Sequence, residues 1–188
     1  MNYILASASA RRKELLKRIV NDFSVMVSDF DEDLVKNTGD ISEYVQDIAL
    51  GKAKDIMNKV NKDSIIIAAD TVVSLNEKVL GKPKSKEEAY NMLNALSNNV
   101  HKVYTGVVVI NTKTKVILKD SVETKVFFSK LESDEINSYI ETGDPFDKAG
   151  AYGIQGIAGA FVEKIEGCYY NVVGLPLNKL KKMIKEVY

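Results

Sequence analysis

The sequence lacks the features that mark secreted, membrane-spanning and nucleic-acid-binding proteins. Its one cysteine, Cys168, excludes an internal disulfide and fits a reducing compartment. No apolar run approaches the roughly 20 residues that a membrane helix needs, so a membrane is not an expected partner. No charged region followed by a long apolar stretch stands at the N-terminus, which argues against a signal peptide. The sequence therefore favours a soluble cytoplasmic protein.

An excess of charge of either sign is also missing. Lysine and arginine together number 26, and so do aspartate and glutamate. A neutral chain lacks the electrostatic footprint of a nucleic-acid-binding protein, so nucleic acid is not an expected partner either. A local cluster of basic residues is consequently more informative here than it would be in a basic protein.

The chain is long enough for one domain, or at most for two intimate lobes. We expect a single domain over residues 1–188. Hydrophobic residues make up 45% of the chain and charged residues 28%, which is typical of a packed core with a solvated surface. Strand and helix patterns alternate, then strands dominate, and then the alternation returns. This order predicts an α/β domain with a mixed, twisted sheet.

The apolar periodicity also predicts the individual elements. Strands are expected at residues 2–6, 23–28, 65–75, 103–110 and 115–128. Helices are expected at residues 10–20, 42–60, 133–141 and 177–187, and a further helix begins at the capping box of residues 85–88. A glycine-dense stretch, residues 143–159, lies between the last two helices.

Two arginines stand at the start of the first predicted helix, after the segment "SAS". If Ser9 caps that helix, the backbone N–H groups of Ala10, Arg11 and Arg12 lack partners within the helix. Such a helix start, with guanidinium groups beside it, favours an anion such as phosphate. The alternative is a surface helix whose first turn is basic. The P-loop pattern does not occur in the chain.

Asp70 interrupts an apolar strand, "IIIAADTVVSL". A buried carboxylate is costly unless it is paired, metal-bound or protonated. We therefore expect Asp70 to bind a divalent cation or to activate water, and its hard oxygen atoms suit Mg²⁺ or Mn²⁺. The alternative is that the strand ends at Ala69 and Asp70 caps a turn.

Two lysines are further candidates. Lys52 falls on the apolar stripe of its predicted helix, so its ammonium must either reach solvent or meet an anion inside the protein. Lys82, in "LGKPKS", projects from a rigid loop after an expected hairpin. Each of them could also be an ordinary surface lysine.

Two loops carry chemistry that the residues alone leave open. The acidic loop could supply a second carboxylate for a metal, although acidic loops are more often only solvated; its acidic residues are Asp29, Asp31, Glu32 and Asp33. The segment "DKAGAYGIQG" combines Lys148 and Gln155 with three glycines, and Gln155 could read the edge of a base. An ordinary surface loop is the alternative. His101, the only histidine, is expected to be structural, and nothing marks Cys168 as a nucleophile.

Six segments follow one another along almost the whole chain: "SASARRKELL", "AADTVV", "LGKP", "HKVYTGV", "DKAGAYGIQG" and "YYNVVGLP". Together and in this order they resemble the Maf family of nucleoside triphosphate pyrophosphatases. The paired arginines and the "DKAGAYGIQG" segment are similar to the branch that acts on dTTP and UTP, rather than to the 7-methyl-GTP branch. One departure is Ala10, where the family usually has proline; alanine keeps a good helix start and adds an N–H donor.

The resemblance implies a fold, a cofactor and a set of site residues. The fold would be a mixed α/β domain with an elongated sheet and two lobes around a deep cleft. Asp70 would be the proton acceptor and, with Glu32, would hold a divalent metal cation, Mg²⁺ or Mn²⁺. Arg11, Thr71 and Gln155 would set substrate choice, and Ser7, Arg12, Lys52 and Lys82 would surround the phosphates.

The implied reaction converts dTTP or UTP into the nucleoside monophosphate and pyrophosphate. Water, activated by Asp70 or ordered on the metal, would attack the α-phosphorus, while the metal and the basic side chains neutralise the leaving pyrophosphate. Such an enzyme would clear unwanted nucleotides from the pool. Two alternatives are the same chemistry on a modified purine nucleotide and a non-catalytic, nucleotide-binding regulator of cell division and septum formation. A homodimer stays open, because no apolar stripe identifies an interface.

Overall fold

The computed structural model describes all residues from 1 to 188. Its strands are β1 (Asn2–Leu5), β2 (Ser24–Val25), β3 (Ser64–Leu75), β4 (Lys78–Leu80), β5 (Val100–Asn111), β6 (Ile117–Phe128) and β7 (Val162–Glu166). Its α-helices are α1 (Ala10–Leu16), α2 (Ile41–Lys59), α3 (Lys86–Leu96), α4 (Ser133–Glu141), α5 (Tyr169–Val173) and α6 (Leu177–Glu186). Short 3₁₀ helices lie at Glu32–Leu34, Asp144–Asp147, Ala149–Ala151 and Ile157–Phe161. No helix is both long enough and apolar enough to span a membrane.

The strands form a mixed sheet, in which hydrogen-bonded neighbours follow the order β2-β1-β3-β5-β6-β7 and β4 pairs with β3. Strand β1 runs parallel to β2 and to β3, and Ile4 is in register with Ser24 on one side and Ile66 on the other. Helix α1 provides the crossover that a parallel β1–β2 pair requires. The pairs β3–β4 and β6–β7 are antiparallel. The prediction of a mixed α/β fold is confirmed.

The chain divides into two compact units, each with its own hydrophobic core. Unit 1 consists of Met1–Asp70, Thr105–Val122 and Gly174–Tyr188, and unit 2 consists of Thr71–Tyr104 and Glu123–Val173. Strands β3, β5 and β6 each contribute residues to both units.

Helix α2 supplies much of the core of unit 1. Its N-terminus is capped by the side chain of Asp40, which accepts a hydrogen bond from the backbone N–H of Glu43 at 3.1 Å. Its apolar stripe is buried at Val45, Ile48, Ala49, Ala53 and Ile56, as the periodicity predicts, whereas Val60, also expected on the stripe, is half-buried at the C-cap. From this stripe, Ala49, Ala53 and Ile56 pack in one cluster with residues of β1, β3 and β5.

Two predicted elements of unit 1 are shorter than the sequence indicates. Helix α1 ends at Leu16, because Arg18 and Ile19 donate to carbonyls three residues back and so form 3₁₀-type turns. Strand β2 covers only Ser24–Val25, whereas residues 23–28 were expected to be a strand. After it, the backbone N–H of Met26 still donates to the carbonyl of Leu5 at 3.1 Å, and Ser28 Oγ then donates to Asp55 of helix α2 at 2.9 Å.

Two short elements of unit 2 are not predicted by the sequence pattern. Strand β7 has five residues, and so does helix α5. The residues of β7, Val162–Glu166, do not alternate between apolar and polar, and the five residues of α5 are too few for a period of 3.6 residues to stand out.

The core of unit 2 contains the only histidine. His101 is 1% exposed, and its Nε2 atom lies 2.7 Å from the hydroxyl of Tyr152. Its ring also meets Phe128 edge to face, with ring centroids 4.9 Å apart. This burial agrees with the expected structural role, and it lowers the pKa of His101 to about 4.

We predict that Gly106→Ala destabilises the protein. A Cβ at residue 106 would collide with the backbone carbonyl of Val45, which cannot move without shifting helix α2. Overpacking of this kind costs about 1–3 kcal/mol, and thermal melting should show it as a lower midpoint. Gly81→Ala is the control, because nothing lies within 4 Å of a Cβ at residue 81. Equal midpoints for the two variants would contradict the prediction.

We also predict that His101 makes the protein less stable in mild acid. The unfolded chain binds a proton at His101 below pH 6.5, whereas the folded protein does so only below about pH 4. This stabilisation is therefore complete above the unfolded pKa and is lost as the pH falls towards the folded pKa. Between neutral pH and about pH 5 the loss is on the order of 2 kcal/mol.

Urea unfolding of the wild type and of His101→Phe at both pH values measures this contribution. Phenylalanine does not titrate, so the variant should lose less free energy of unfolding on acidification than the wild type. Equal losses would show that His101 contributes nothing to the acid sensitivity.

Candidate active site

The start of helix α1 places Ser7 and Arg12 side by side in unit 1. Ser9 caps the helix as expected, since its side chain accepts from the backbone N–H of Arg12 at 3.3 Å. The guanidinium of Arg12 folds back over this turn, where Nε donates to the carbonyl of Gly174 at 2.9 Å and Nη1 lies 3.5 Å from Ser7 Oγ. Helix α1 has only seven residues, so an anion here would depend on these side chains more than on the helix itself.

Asp70 lies inside strand β3, which continues to Leu75, so the alternative that Asp70 caps a turn is wrong. The charge of Asp70 is compensated by Lys52 of helix α2, whose Nζ donates to Asp70 Oδ1 at 2.7 Å. The same Nζ lies 2.8 Å from Glu32 Oε1. The Lys52 side chain is only 13% exposed and that of Asp70 only 10%, so Lys52 meets anions inside the protein instead of reaching solvent.

The acidic loop contributes Glu32, and two of its other acidic residues are used elsewhere. Asp29 pairs with Lys59 at 2.8 Å, and Asp31 caps the 3₁₀ turn by accepting from the backbone N–H of Asp33 at 3.0 Å. Glu32 is thus the acidic residue of this loop that reaches Lys52. Its side chain is 54% exposed, so one side of the cluster faces solvent.

The acidic loop is anchored on helix α2 one turn after Lys52. A single carboxylate oxygen of Asp55 accepts from Ser28 Oγ and from the backbone N–H of Asp29, both at 2.9 Å. The ring of Phe30 lies directly on Gly51, where any Cβ would overlap it. These contacts set the distance between the loop and the helix, and therefore let Glu32 reach Lys52.

Arg12, at the start of helix α1, interacts electrostatically with the carboxylates of Asp70 and Glu32. Burial lowers the pKa of the Arg12 guanidinium, and Arg11 lowers it further, whereas the negative charges of Asp70 and Glu32 oppose the shift. Burial together with the same two carboxylates raises the pKa of Tyr44 on helix α2. Unit 1 therefore brings two guanidiniums, one ammonium and two carboxylates into one electrostatic cluster.

The donor set of this cluster fits a hard divalent cation. Asp70 and Glu32 approach the same point, now marked by the Lys52 ammonium, from two different elements. No group of three or more His, Cys, Asp and Glu side chains converges anywhere in the chain. Two carboxylates are a usual protein share for Mg²⁺, which takes its other ligands from phosphate and water.

The remaining predicted residues belong to unit 2. Thr71 follows Asp70 in strand β3 and is half-buried, whereas Lys82 and Gln155 are exposed. The loop of Lys82 is tied to the glycine-dense stretch, since the backbone N–H of Gly150 donates to the carbonyl of Gly81 at 3.0 Å. Gly150 has a positive φ of 68° and packs against Val73, where a Cβ would be 2.9 Å from the valine side chain. Lys82 and Gln155 thus stand on two segments that are joined by their backbones.

Two residues near this cluster were not found from the sequence. Tyr44 lies two turns before Lys52 on helix α2, so helical spacing could have indicated it. The carbonyl of Gly174 accepts from Arg12 across 162 positions of the chain, and no local pattern reports such a contact. The segment "YYNVVGLP", which contains Gly174, was informative only as part of the family resemblance.

We predict that Lys52→Met destabilises the protein strongly. The change leaves Asp70 buried without its cation, which costs about 3–5 kcal/mol when one partner of a buried pair is removed. Urea unfolding measures the loss. Lys119→Met is a matched control, because Lys119 pairs with Asp47 of the same helix at an exposed position, where loss of the pair costs about 1 kcal/mol or less. A Lys52→Met variant as stable as this control would contradict the prediction.

Comparison with known proteins adds a family to this geometry. A family model described as "Maf-like protein" matches residues 2–187. A dTTP/UTP pyrophosphatase of Clostridium botulinum is 63% identical over 186 residues, which cover 99% of each chain. A dTTP/UTP pyrophosphatase of Clostridium beijerinckii is 58% identical over 187 residues, which cover 100% of each chain.

Solved structures support the fold alone. A HAM1 protein from Coxiella burnetii aligns with a TM-score of 0.54 and 14% identity, and the match covers 99% of each chain. The Ham1 protein of Staphylococcus aureus aligns with a TM-score of 0.50 and 19% identity over 100% of each chain. At this level of identity the shared feature is the mixed α/β architecture.

Proposed function

The chain belongs to the family of Maf-like proteins, and we propose that it hydrolyses dTTP and UTP to the nucleoside monophosphate and pyrophosphate. The observation that carries the proposal is the buried Asp70 carboxylate, held at 2.7 Å from Lys52 beside Glu32 and within electrostatic range of Arg12. A carboxylate among cations can accept a proton next to a bound polyanion. The full-length similarity to two dTTP/UTP pyrophosphatases indicates the substrates.

In the proposed reaction, Asp70 accepts a proton from the water that attacks the α-phosphorus. A bond forms between the water oxygen and that phosphorus, and the bond from the phosphorus to the pyrophosphate oxygen breaks. Arg12 and Lys52 stabilise the negative charge on the triphosphate, and Ser7 Oγ donates a hydrogen bond to a phosphate oxygen. Lys82 is proposed as a further phosphate-binding residue.

A divalent cation, Mg²⁺ or Mn²⁺, would be held by Asp70 and Glu32. When bound, it supplies positive charge that lowers the energy of the developing pyrophosphate. In the structure the Lys52 ammonium contacts these same two carboxylates, so a bound cation would have to share them with Lys52.

Selection among triphosphates is proposed to rest on Arg11, Thr71 and Gln155. The amide of Gln155 both donates and accepts, which suits the edge of a thymine or uracil base.

Residues 1–188 are proposed to act as one domain, and the expected compartment is the cytoplasm. Whether the protein forms a homodimer can be tested by measuring its molecular mass in solution by sedimentation.

A panel of nucleoside triphosphates tests the function. We expect pyrophosphate release from dTTP and UTP that requires Mg²⁺ or Mn²⁺ and stops when EDTA removes the metal. Asp70→Asn should lower the rate by about 10²–10⁴-fold, since a general base contributes that much. Its circular dichroism spectrum and nucleotide affinity serve as controls for folding and binding.

Each of the other possible outcomes would support a different function. If the protein hydrolysed a modified purine nucleotide but neither dTTP nor UTP, the reaction would be the same and the substrate would carry a different base. Tight nucleotide binding without any pyrophosphate release would instead support a regulator of cell division. Full activity of Asp70→Asn would remove Asp70 from the mechanism.

A further inference from the structure

The second half of the glycine-dense stretch is held by a charged network in unit 2. We define the Lys148 clamp as Tyr139, Asp144, Asp147 and Lys148. The Lys148 ammonium donates to the backbone carbonyl of Asp144 at 2.7 Å, to Asp144 Oδ1 at 2.9 Å and to Asp147 Oδ1 at 2.6 Å. An ammonium has three donors, so all of them are used inside the protein. Lys148 is therefore an anchor and not a group that reads a base.

The other carboxylate oxygen of Asp144 connects the clamp to helix α4. Tyr139, which is 2% exposed, donates its hydroxyl to Asp144 Oδ2 at 3.0 Å. The ring of Tyr139 is fixed in turn by an edge-to-face contact with Phe161, with ring centroids 5.3 Å apart. Burial, and then the charge of Asp144, raises the pKa of Tyr139, so its hydroxyl stays protonated and remains a donor.

The clamp touches both ends of the turn that carries Gln155. A Cβ at Gly153 would lie 2.7 Å from Lys148 Cε and 2.8 Å from Lys148 Cδ, so the backbone at Gly153 rests on the lysine side chain. The backbone of Gly153 also acts on the Tyr139 hydroxyl, whose pKa it lowers against the larger effect of burial. At the other end, a Cβ at Gly156 would lie 3.1 Å from Asp144 Oδ2. The turn is closed by the N–H of Gly156, which donates to the carbonyl of Gly153 at 3.1 Å.

We propose that Lys148, Asp144 and Tyr139 are positioning residues for base selection, because they fix the turn of residues 153–156 that presents Gln155. This inference rests on the proposed function and on the specificity role proposed for Gln155. Gln155 is exposed, and its turn begins and ends with glycines, Gly153 and Gly156, which have no side chains to restrain the backbone. An amide that discriminates bases by hydrogen bonds must be held to within a fraction of an ångström, and the clamp supplies that restraint.

The test compares discrimination between bases in the wild type, five single variants and one double variant. Lys148→Met removes the ammonium but keeps an unbranched chain under Gly153, and Lys148→Arg restores the charge. Tyr139→Phe removes only the hydroxyl and keeps the ring against Phe161, so it serves if Lys148→Met fails to fold. Gln155→Ala removes the proposed reader. Lys130→Met is the control, because Lys130 forms an exposed ion pair with Glu132 in the same unit.

The measured quantity is kcat/KM for dTTP divided by kcat/KM for GTP, with the melting midpoint of each variant. We expect Lys148→Met and Tyr139→Phe to lower this ratio about tenfold, which corresponds to about 1.4 kcal/mol of discrimination. Lys148→Arg should recover most of the ratio, and Lys130→Met should leave it unchanged. The double variant Lys148→Met/Gln155→Ala should discriminate no worse than Gln155→Ala, because both changes act through one amide.

Three results would overturn the inference. The first is an equal loss of kcat/KM for dTTP and GTP in Lys148→Met, which a merely structural role would produce. The second is additive losses of discrimination in the double variant. The third is an unchanged ratio in Gln155→Ala. A wild type that releases pyrophosphate from no triphosphate would overturn the proposed function as well, so the two failures are distinguishable.

Discussion

The site of unit 1 depends on the contact between one ammonium group and two carboxylates. Asp70 continues a strand whose neighbours are apolar and buried, so its charge is tolerable only with a cation beside it. Lys52 supplies that cation from helix α2 at 2.7 Å and also reaches Glu32 at 2.8 Å. This contact therefore joins strand β3, helix α2 and the acidic loop, and it gathers the groups that a polyanionic substrate and a metal would need.

Both units hold a loop that carries a proposed site residue, and they hold it in the same physical way. A carboxylate of helix α2, Asp55, accepts hydrogen bonds from the start of the acidic loop. In the glycine-dense stretch, the Lys148 ammonium donates a hydrogen bond to the backbone carbonyl of Asp144. In each case a glycine, Gly51 or Gly153, lets a side chain lie directly on the backbone. Loops lack the repeated hydrogen bonds of helices and strands, so a few charged anchors must restrain the residues that they carry.

Prediction from the sequence worked where one physical conflict was visible in a short window. Asp70 among buried apolar residues required a partner, and Lys52 on an apolar stripe had either to reach solvent or to meet an anion. The structure pairs them with each other. It worked less well where no local rule applies. Helix α1 stops at Leu16 through 3₁₀-type turns, and the residues of β7 do not alternate between apolar and polar. The contact of Arg12 with Gly174 has no signal in either segment.

Periodicity, caps and the order of six segments are properties of the chain read locally, and they establish the mixed α/β class and the Maf family. The identity of the partners is a different kind of information. Glu32 rather than Asp29 faces Lys52, and Lys148 anchors a turn although its segment suggested contact with a base. Coulomb energies and hydrogen bonds depend on distances of a few ångströms. Those distances between residues remote in the chain exist only after helices and strands have packed.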